Sequence, residues 1–317
     1  MQSLKKYKNK KIFISGGAGI IGKELVKKLC GINNKIFVGD FKTKPKCFGK
    51  NIKYRKGDLN SFSFKELSQF NPDIIFHLAA TYERTQETFN FYNNNFSNNI
   101  KLSNHLLKNI KKLKKLKAFI FASSYLVYDE KLYLKKNSTV KSLRETDQKD
   151  TRNLIGSSKY YHEKEIEFFS NYLPNCKFVV ARIFRGYGLN SRDIISRWIR
   201  MAIQKRELKV FGENGSFDYI FSKDSANALL STIDCKKGIT YLNIGSGKSV
   251  KIKKIIQILK KYFPKLRVKK INKKLNVENS KANIDRIKRL TNWKPYYSVE
   301  LGIDEIVKYE KKKTKKN

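Results

Sequence analysis

The sequence predicts an α/β fold: a doubly wound parallel sheet covered by helices on both faces, with a smaller part interleaved toward the C-terminus. Three observations carry this expectation. Short β-branched or aromatic runs alternate with longer segments of helical period as far as Phe184. The first run ends in a glycine-rich turn that opens a helical segment. The chain has 317 residues, 40% of them hydrophobic, which suffices to bury one large core or two unequal ones.

In chain order, strands are expected at Lys11–Ser15, Lys35–Asp40, Ile52–Asp58, Asp73–Ala80, Ala118–Ser124 and Lys177–Phe184. Helices are expected near Ile20–Cys30, Phe64–Phe70, Phe89–Lys112 and Gly156–Tyr172. Strand, helix, strand repeated in this way builds a parallel sheet with both faces covered. After Phe184 the rhythm changes: helix over Asp193–Lys205, an extended stretch at Asp218–Phe221, helix over Ser225–Ile233, a short strand Thr240–Ile244, and helix over Ile252–Tyr262. The Lys-rich remainder, ending in Lys311–Lys316, reads as a frayed tail.

The turn after the first strand reads Ser15-Gly16-Gly17-Ala18-Gly19-Ile20-Ile21-Gly22. Gly16 permits a tight turn, Gly19 lets backbone amides approach a pyrophosphate, and Gly22 lets helix and sheet pack closely. The amides of Ile20, Ile21 and Gly22 then open a helix, where unpaired N–H groups favour an anion. Asp40 ends the next strand, 18 residues after Gly22, where a carboxylate can hold both ribose hydroxyls of an adenosine. Together these point to dinucleotide binding on a Rossmann-type fold. A carboxylate repels a 2′-phosphate, so NAD is expected and NADP is less favoured, although Lys42 and Lys44 lie close by.

Composition narrows the alternatives. Five prolines, 17 glycines and 13% aromatic residues exclude disorder as a description of the whole chain. No apolar run approaches the length of a membrane span. The basic then apolar N-terminus imitates a signal peptide, but four glycines, Lys23 and Glu24 interrupt it, so a cytoplasmic protein is expected. Lys plus Arg is 69 against 27 Asp plus Glu, a net charge of +42. Of the 69, 56 are Lys, spread along the chain rather than clustered, so a nucleic-acid partner rests on net charge alone and is not expected. Cys30, Cys47, Cys176 and Cys235 are widely separated and only three histidines accompany them, so no metal is expected and the compartment reads as reducing.

Further motifs follow in order. Asp58-Leu59 comes after the third strand, His77-Leu78-Ala79-Ala80 after the fourth, and Ser123-Ser124-Tyr125-Leu126-Val127-Tyr128 after the fifth. Then come Gly156-Ser157-Ser158-Lys159 with Glu163, Arg182-Ile183-Phe184-Arg185-Gly186-Tyr187-Gly188, Asp218-Tyr219-Ile220, Tyr241 to Gly247, and Asn292-Trp293-Lys294-Pro295. With the glycine turn, this series resembles the extended short-chain dehydrogenase/reductases, the NAD-dependent nucleotide-sugar epimerase/dehydratase family, over nearly the full length. The resemblance implies an NAD-binding domain over residues 1–183 plus about 217–245 and a substrate-binding domain over 184–216 plus 246–317. It implies that Asp58 and Leu59 touch the adenine and that Ala79 and Ala80 pack beside the cofactor phosphates. Ser124 would polarise the reacting sugar hydroxyl, and Lys159 would bind the nicotinamide ribose. Such proteins oxidise a sugar carbon transiently, in surface-polysaccharide synthesis, and often pair as homodimers through two long helices. His77, ending a buried strand, reads as structural.

The chain departs from the family at its catalytic centre. Relatives carry a Tyr four residues before the helical Lys; here that position is Ile155. Tyr160 and Lys164 repeat the spacing, but Gly156, Ser158 and Glu163 flank Lys159 correctly, and Tyr160 lies about 140° around the helix from position 155. An isoleucine cannot titrate, and losing a positioned acid or base costs about 10²–10⁴ in rate. Three readings stay open. Tyr125, after Ser124 where some dehydratases place an acid, relays the proton; or the chain binds cofactor and sugar nucleotide without turnover, as a pseudoenzyme partner; or Ser124 and Lys159 suffice with substrate-assisted transfer.

The substrate side departs as well. Where relatives often have Asn after the sixth strand this chain has Arg185, and where they have an Arg before the Asp-aromatic-Ile segment it has Phe217. Arg185, Arg192, Arg197 and Arg286 are the candidates for the phosphate role on a nucleotide-sugar substrate, since guanidinium matches phosphate oxygens bidentately, and Arg84, in the polar loop after the fourth strand, is the candidate for reading the sugar.

Overall fold

The computed structural model describes residues 2–62, 64–82, 87–134, 139–271 and 277–314. Its centre is a seven-stranded sheet of β1 (Lys11–Ser15), β2 (Lys35–Asp40), β3 (Lys53–Lys56), β4 (Ile74–His77), β5 (Ala118–Ser124), β6 (Lys177–Ile183) and β7 (Gly238–Ile244). All pairings are parallel and the order is β7-β6-β5-β4-β1-β2-β3. Strand order reverses between β1 and β4, and the crevice beyond the carboxyl ends at such a point is where ligands bind in this architecture.

The strands read as continuous apolar runs because both faces are covered. Alternate residues go to opposite sides. Phe13, Phe37, Ile75, Phe119, Phe121, Phe178 and Val180 fill one buried cluster. Ile12, Ile14, Val38, Phe76, Ile120, Val179 and Ala181 fill the other. A register slip of one residue would exchange the two sets, so this pattern fixes the pairing.

A third buried cluster lies outside the sheet and joins late segments: Tyr187, Ile195, Trp198 and Ile199, Tyr219 and Phe221, Ile255 and Leu259, and Ile303, Ile306 and Val307. Small two-stranded pairs tie these pieces together, among them Arg185–Tyr187 with Tyr219–Phe221 and Leu208–Phe211 with Val268–Ile271.

Several elements differ from expectation. The third strand shortens to Lys53–Lys56 because it is the half-exposed sheet edge. The fourth ends at His77, where the chain leaves the sheet. The long helix expected over Phe89–Lys112 is Phe89–Asn95, a π-helical turn Phe96–Lys101, then Leu102–Leu107. The Lys-rich end is not frayed over its described part. Helix Val299–Thr314 continues through it, anchored by buried Val299, Ile303, Ile306 and Val307. The periodicity was hidden among lysines that occupy only its solvent face.

One carboxylate fastens the late chain to the core. Asp218 is 1% exposed and accepts hydrogen bonds from Ser246 N–H (2.6 Å), Ser246 Oγ (2.7 Å), Gly247 N–H (2.9 Å) and Ala282 N–H (3.0 Å). Replacing Asp218 with Ala leaves three amides without this acceptor, that of Ala282 buried and those of Ser246 and Gly247 half-buried, at about 1–3 kcal/mol for each one shut off from water. Urea unfolding of Asp218→Ala is expected to show a loss of about 3 kcal/mol or more; a change below about 1 kcal/mol would contradict the fastening role.

Candidate active site

The helix after the glycine turn, α1 (Ile20–Cys30), begins at Gly19 with no side-chain cap, so its opening amides are left for another acceptor. Gly16 has φ +75, and a Cβ there would lie 2.6 Å from the Ala79 amide nitrogen. A Cβ on Gly22 would lie 2.4 Å from the Gly16 carbonyl oxygen. Ile20 and Ile21 are half-buried in the first helical turn. Both glycines are thus required by backbone contact. Asp40 is buried at the end of β2, with Oδ2 accepting from Ala18 N–H (2.8 Å) and Oδ1 from Lys42 N–H (2.9 Å). The carboxylate is therefore locked against the glycine turn.

Leu59 is buried and its side chain closes over Gly39, whose absent Cβ would otherwise meet it at 2.6 Å. Asp58 is exposed and accepts from the backbone and side chain of Asn60. Ala79 and Ala80 follow β4 beside the turn, half-buried and exposed respectively. His77 is buried between Ser15 Oγ (2.6 Å) and Ser103 Oγ (2.9 Å); burial, with the Lys159 charge added, holds its pKa well below the ordinary value. It is a neutral linker between sheet and helix.

The second half of the site is built by α2 (Leu154–Tyr172) against the end of β5. Asn153 caps the helix by accepting from Gly156 N–H (2.9 Å). A Cβ on Gly156 would lie 2.5 Å from the Leu126 carbonyl oxygen, so only glycine lets the helix this close to the turn after Ser124. Ser124 is half-buried, its Oγ accepting from Leu126 N–H (3.2 Å). Ile155 is 2% exposed and joins the same buried cluster as Leu126 and Val127.

Lys159, one turn further, is 7% exposed. Its Nζ lies 4.7 Å from the Phe121 ring centre. Burial, only partly offset by Glu163, pushes its pKa down to about 8. Glu163 itself is bound by Arg182 Nη2 (2.7 Å), Arg182 Nε (3.1 Å) and Ser123 Oγ (2.5 Å). Lys164 of the alternative frame is 60% exposed and pairs with Glu167, so the helix presents Lys159 and not Lys164 to the interior.

Tyr125 is buried, stacked on Phe184 at 5.0 Å, and donates its hydroxyl to Glu278 Oε2 (3.3 Å). Burial pushes its pKa well above the ordinary value. Glu278 is the hub of a cluster the sequence did not reveal. The same oxygen accepts from Arg185 Nη2 (2.9 Å) and Arg152 Nη1 (3.0 Å), while Oε1 accepts from Ser280 Oγ (2.9 Å). Burial alone would raise the Glu278 pKa, but Arg185 and Arg152 outweigh it and hold it low. The Arg185 guanidinium lies 4.0 Å from the Phe217 ring centre. Arg192 is exposed, and Arg84 lies outside the described residues.

A second unanticipated network steadies the loop after β4. Asn99, in the π-helical turn, accepts from Thr81 N–H (2.8 Å) and donates to Thr81 O (3.3 Å) and Asn95 Oδ1 (2.6 Å). Ser158 Oγ donates to the same Asn95 oxygen (3.3 Å). Asparagine-rich helices carry no periodic signal for such contacts; only the fold brings these residues together.

These features fit a dinucleotide: a glycine cradle that any Cβ would fill, an uncapped helix end, a fixed carboxylate and a buried ammonium that no protein acceptor among the described residues engages. A family model described as "NAD dependent epimerase/dehydratase family" matches residues 12–245. The UDP-glucose 4-epimerase of Pasteurella multocida is 26% identical, over 75% of this chain and 79% of its own. The UDP-N-acetyl-alpha-D-glucosaminuronate decarboxylase of Bacillus cytotoxicus is 25% identical, over 95% of this chain and 97% of its own. Among solved structures, the UDP-glucuronic acid 4-epimerase of Bacillus cereus, in complex with UDP-glucuronic acid and NAD, superposes with a TM-score of 0.83 at 21% identity, over 95% of this chain and 99% of its own.

The Lys159 environment has a measurable cost. Its pKa is about 8 in the fold against 10.5 for an ordinary lysine. Between these values the unfolded chain holds a proton that the folded one has shed, so stability rises with pH; below the window the buried charge is fully destabilising. Lys159→Met is expected to be more stable than wild type at pH 7, by on the order of 2 kcal/mol, with the gain shrinking as pH climbs through the window. Denaturation curves across pH check this; a constant difference would contradict it.

Proposed function

Because the chain belongs to the NAD-dependent epimerase/dehydratase family, we propose that it is an enzyme acting on a nucleotide sugar by transient oxidation of a sugar carbon. NAD supplies a hydride acceptor and donor when bound. The amides of Ile20, Ile21 and Gly22, with Gly16 and Gly19 beside them, would hold its pyrophosphate. Asp40 would hold the adenosine ribose and disfavour a 2′-phosphate, Asp58 and Leu59 would border the adenine, and Ala79 and Ala80 the phosphates. Lys159 would hold the nicotinamide ribose. The observation that carries the reading is this buried Lys159 ammonium, packed against Phe121 of β5 and left without an acceptor among the described residues.

Ser124 stands at the carboxyl end of β5 and would polarise the sugar hydroxyl. Tyr125 in the pose described donates a hydrogen bond to Glu278, so a relay role requires its hydroxyl to leave that carboxylate. Arg185 would serve the substrate, with Arg192 and Arg84 further out. The two departures from the family on this side are one exchange. The guanidinium expected at 217 would be delivered from 185 instead, a reading supported by the Arg185 guanidinium lying over the Phe217 ring.

We also assign a homodimer. Among the described residues, six of the 12 large apolar side chains exposed lie on the two helices the resemblance pairs: Phe89, Tyr92 and Phe96, and Tyr161, Phe168 and Tyr172. Tyr161, Phe168 and Tyr172 are spaced to share one face of α2. Such a ridge exceeds what scattered surface residues would show. No helix among the described residues is long and apolar enough to cross a membrane, and the four cysteines are free, which suits a reducing cytosol.

Incubation with NAD and a panel of UDP- and dTDP-sugars, followed by product analysis, is expected to give an epimer or a deoxy-keto product from one of them. NAD binding without any product would favour instead the pseudoenzyme reading, whose motive is Ile155. Arg185→Ala is expected to raise KM for the sugar nucleotide about tenfold or more while leaving NAD affinity within a few-fold; equal losses of both would contradict its substrate role. Sedimentation equilibrium is expected to return twice the 37.1 kDa chain mass, and Phe168→Glu to return one.

A further inference from the structure

The place vacated by tyrosine leaves a question of proton balance. Oxidising a sugar carbinol breaks a C–H and an O–H bond. The C–H pair leaves as hydride to the nicotinamide, a carbonyl forms, and the hydroxyl proton must go to a base; reduction reverses each movement. Ile155 has no atom that can take this proton, and its side chain is buried in the hydrophobic core.

The other titratable groups nearby are engaged elsewhere. The Tyr125 hydroxyl donates to Glu278. Tyr128 donates to Asn243 Oδ1 (2.6 Å) and accepts from Arg182 Nη1 (3.1 Å). His162 bridges Glu165 (2.5 Å) and the Asn99 carbonyl (3.1 Å). His77 bridges Ser15 of the sheet and Ser103 of helix Leu102–Leu107. Among the described residues, Lys159 alone of this group makes no hydrogen bond through its side chain. It is one helical turn from Ile155, on the same face.

We infer that Lys159 is itself the acid–base residue of this protein: its neutral amine takes the sugar hydroxyl proton during oxidation and its ammonium returns it during reduction. This rests on the proposed function and adds to ribose binding, the role that Lys159 would otherwise have. The surroundings of Lys159 suit the task. It faces the Phe121 ring from β5, His77 from β4, and His162 and Glu163 from its own helix; Glu163 is neutralised by Arg182 from β6. Burial has already brought the amine to a pKa of about 8, so both protonation states are accessible near neutral pH. A cationic nicotinamide alongside would favour the neutral, proton-accepting form further.

The test has one readout that needs no ligand. In protein carrying 13C at lysine Cε, the resonance missing from Lys159→Arg identifies Lys159, and its titration midpoint is expected near 8, apart from the other lysines. With NAD and UDP-glucose or UDP-glucuronic acid as probes, the rate of nicotinamide reduction in wild type is expected to rise with pH through about that midpoint. Lys159→Arg, which keeps the charge but cannot titrate in range, is expected to lose about 100-fold or more of this rate and the pH dependence, with NAD affinity held within about tenfold. Ile155→Tyr in the Lys159→Arg background is expected to restore part of it. A Lys159 midpoint among the ordinary lysines overturns the inference. So does a Lys159→Arg protein that keeps rate and pH profile, with the loss falling on Tyr125→Phe, and so does NAD binding without reduction by either probe. Failure of wild type to bind NAD calorimetrically sinks the proposed function instead, and is recorded separately from the lysine titration.

Discussion

Helix α2 must approach the end of β5 until backbone meets backbone, and the reacting centre depends on that approach. Gly156 permits it, because any side chain there would strike the Leu126 carbonyl. The helix then sets three consequences at once. Ile155 is driven into the core, Lys159 is carried out of water against Phe121, and Glu163 is delivered to Arg182 and Ser123. The last pair matters electrostatically. A Glu163 left free would bind Lys159 and raise its pKa; held by a buried guanidinium, it leaves the lysine short of a partner.

The opposite wall obeys similar logic with a different balance. Two guanidiniums converge on Glu278 and hold it ionised in spite of burial, while Tyr125 adds a third donor to the same oxygen. The cluster joins Arg152, just before α2, to Arg185 after β6 and to the late segment at 278–282, so three distant stretches of chain share one carboxylate. A cluster so connected restricts where Arg185 can point. Its stacking on Phe217 adds a second restraint in a direction that hydrogen bonds do not fix.

Much of this was legible in the sequence. Strands at Lys11–Ser15, Lys35–Asp40 and Ala118–Ser124 and helices at Ile20–Cys30 and Ile252–Tyr262 begin and end where composition and period place them. The glycine turn was readable because phosphate binding and close packing restrict it to residues without a Cβ. The short strands outside the sheet were not, since two to four residues carry no period. Nor was Glu278, whose partners Arg152 and Arg185 are 126 and 93 residues away in sequence. Helix Val299–Thr314 was obscured because its exposed lysines equal its buried apolar side chains in number and crowd its last turns. The strong positive charge, spread over solvated faces, contributes to none of the buried arrangements except through Lys159 and the paired arginines.

A crystal structure of the protein with NAD tests the central claim most directly. The account predicts the diphosphate against the amides that open α1, one ribose on the Asp40 carboxylate and the other within hydrogen-bond distance of Lys159 Nζ. Coenzyme bound elsewhere, or a nicotinamide ribose out of reach of Lys159, would contradict it.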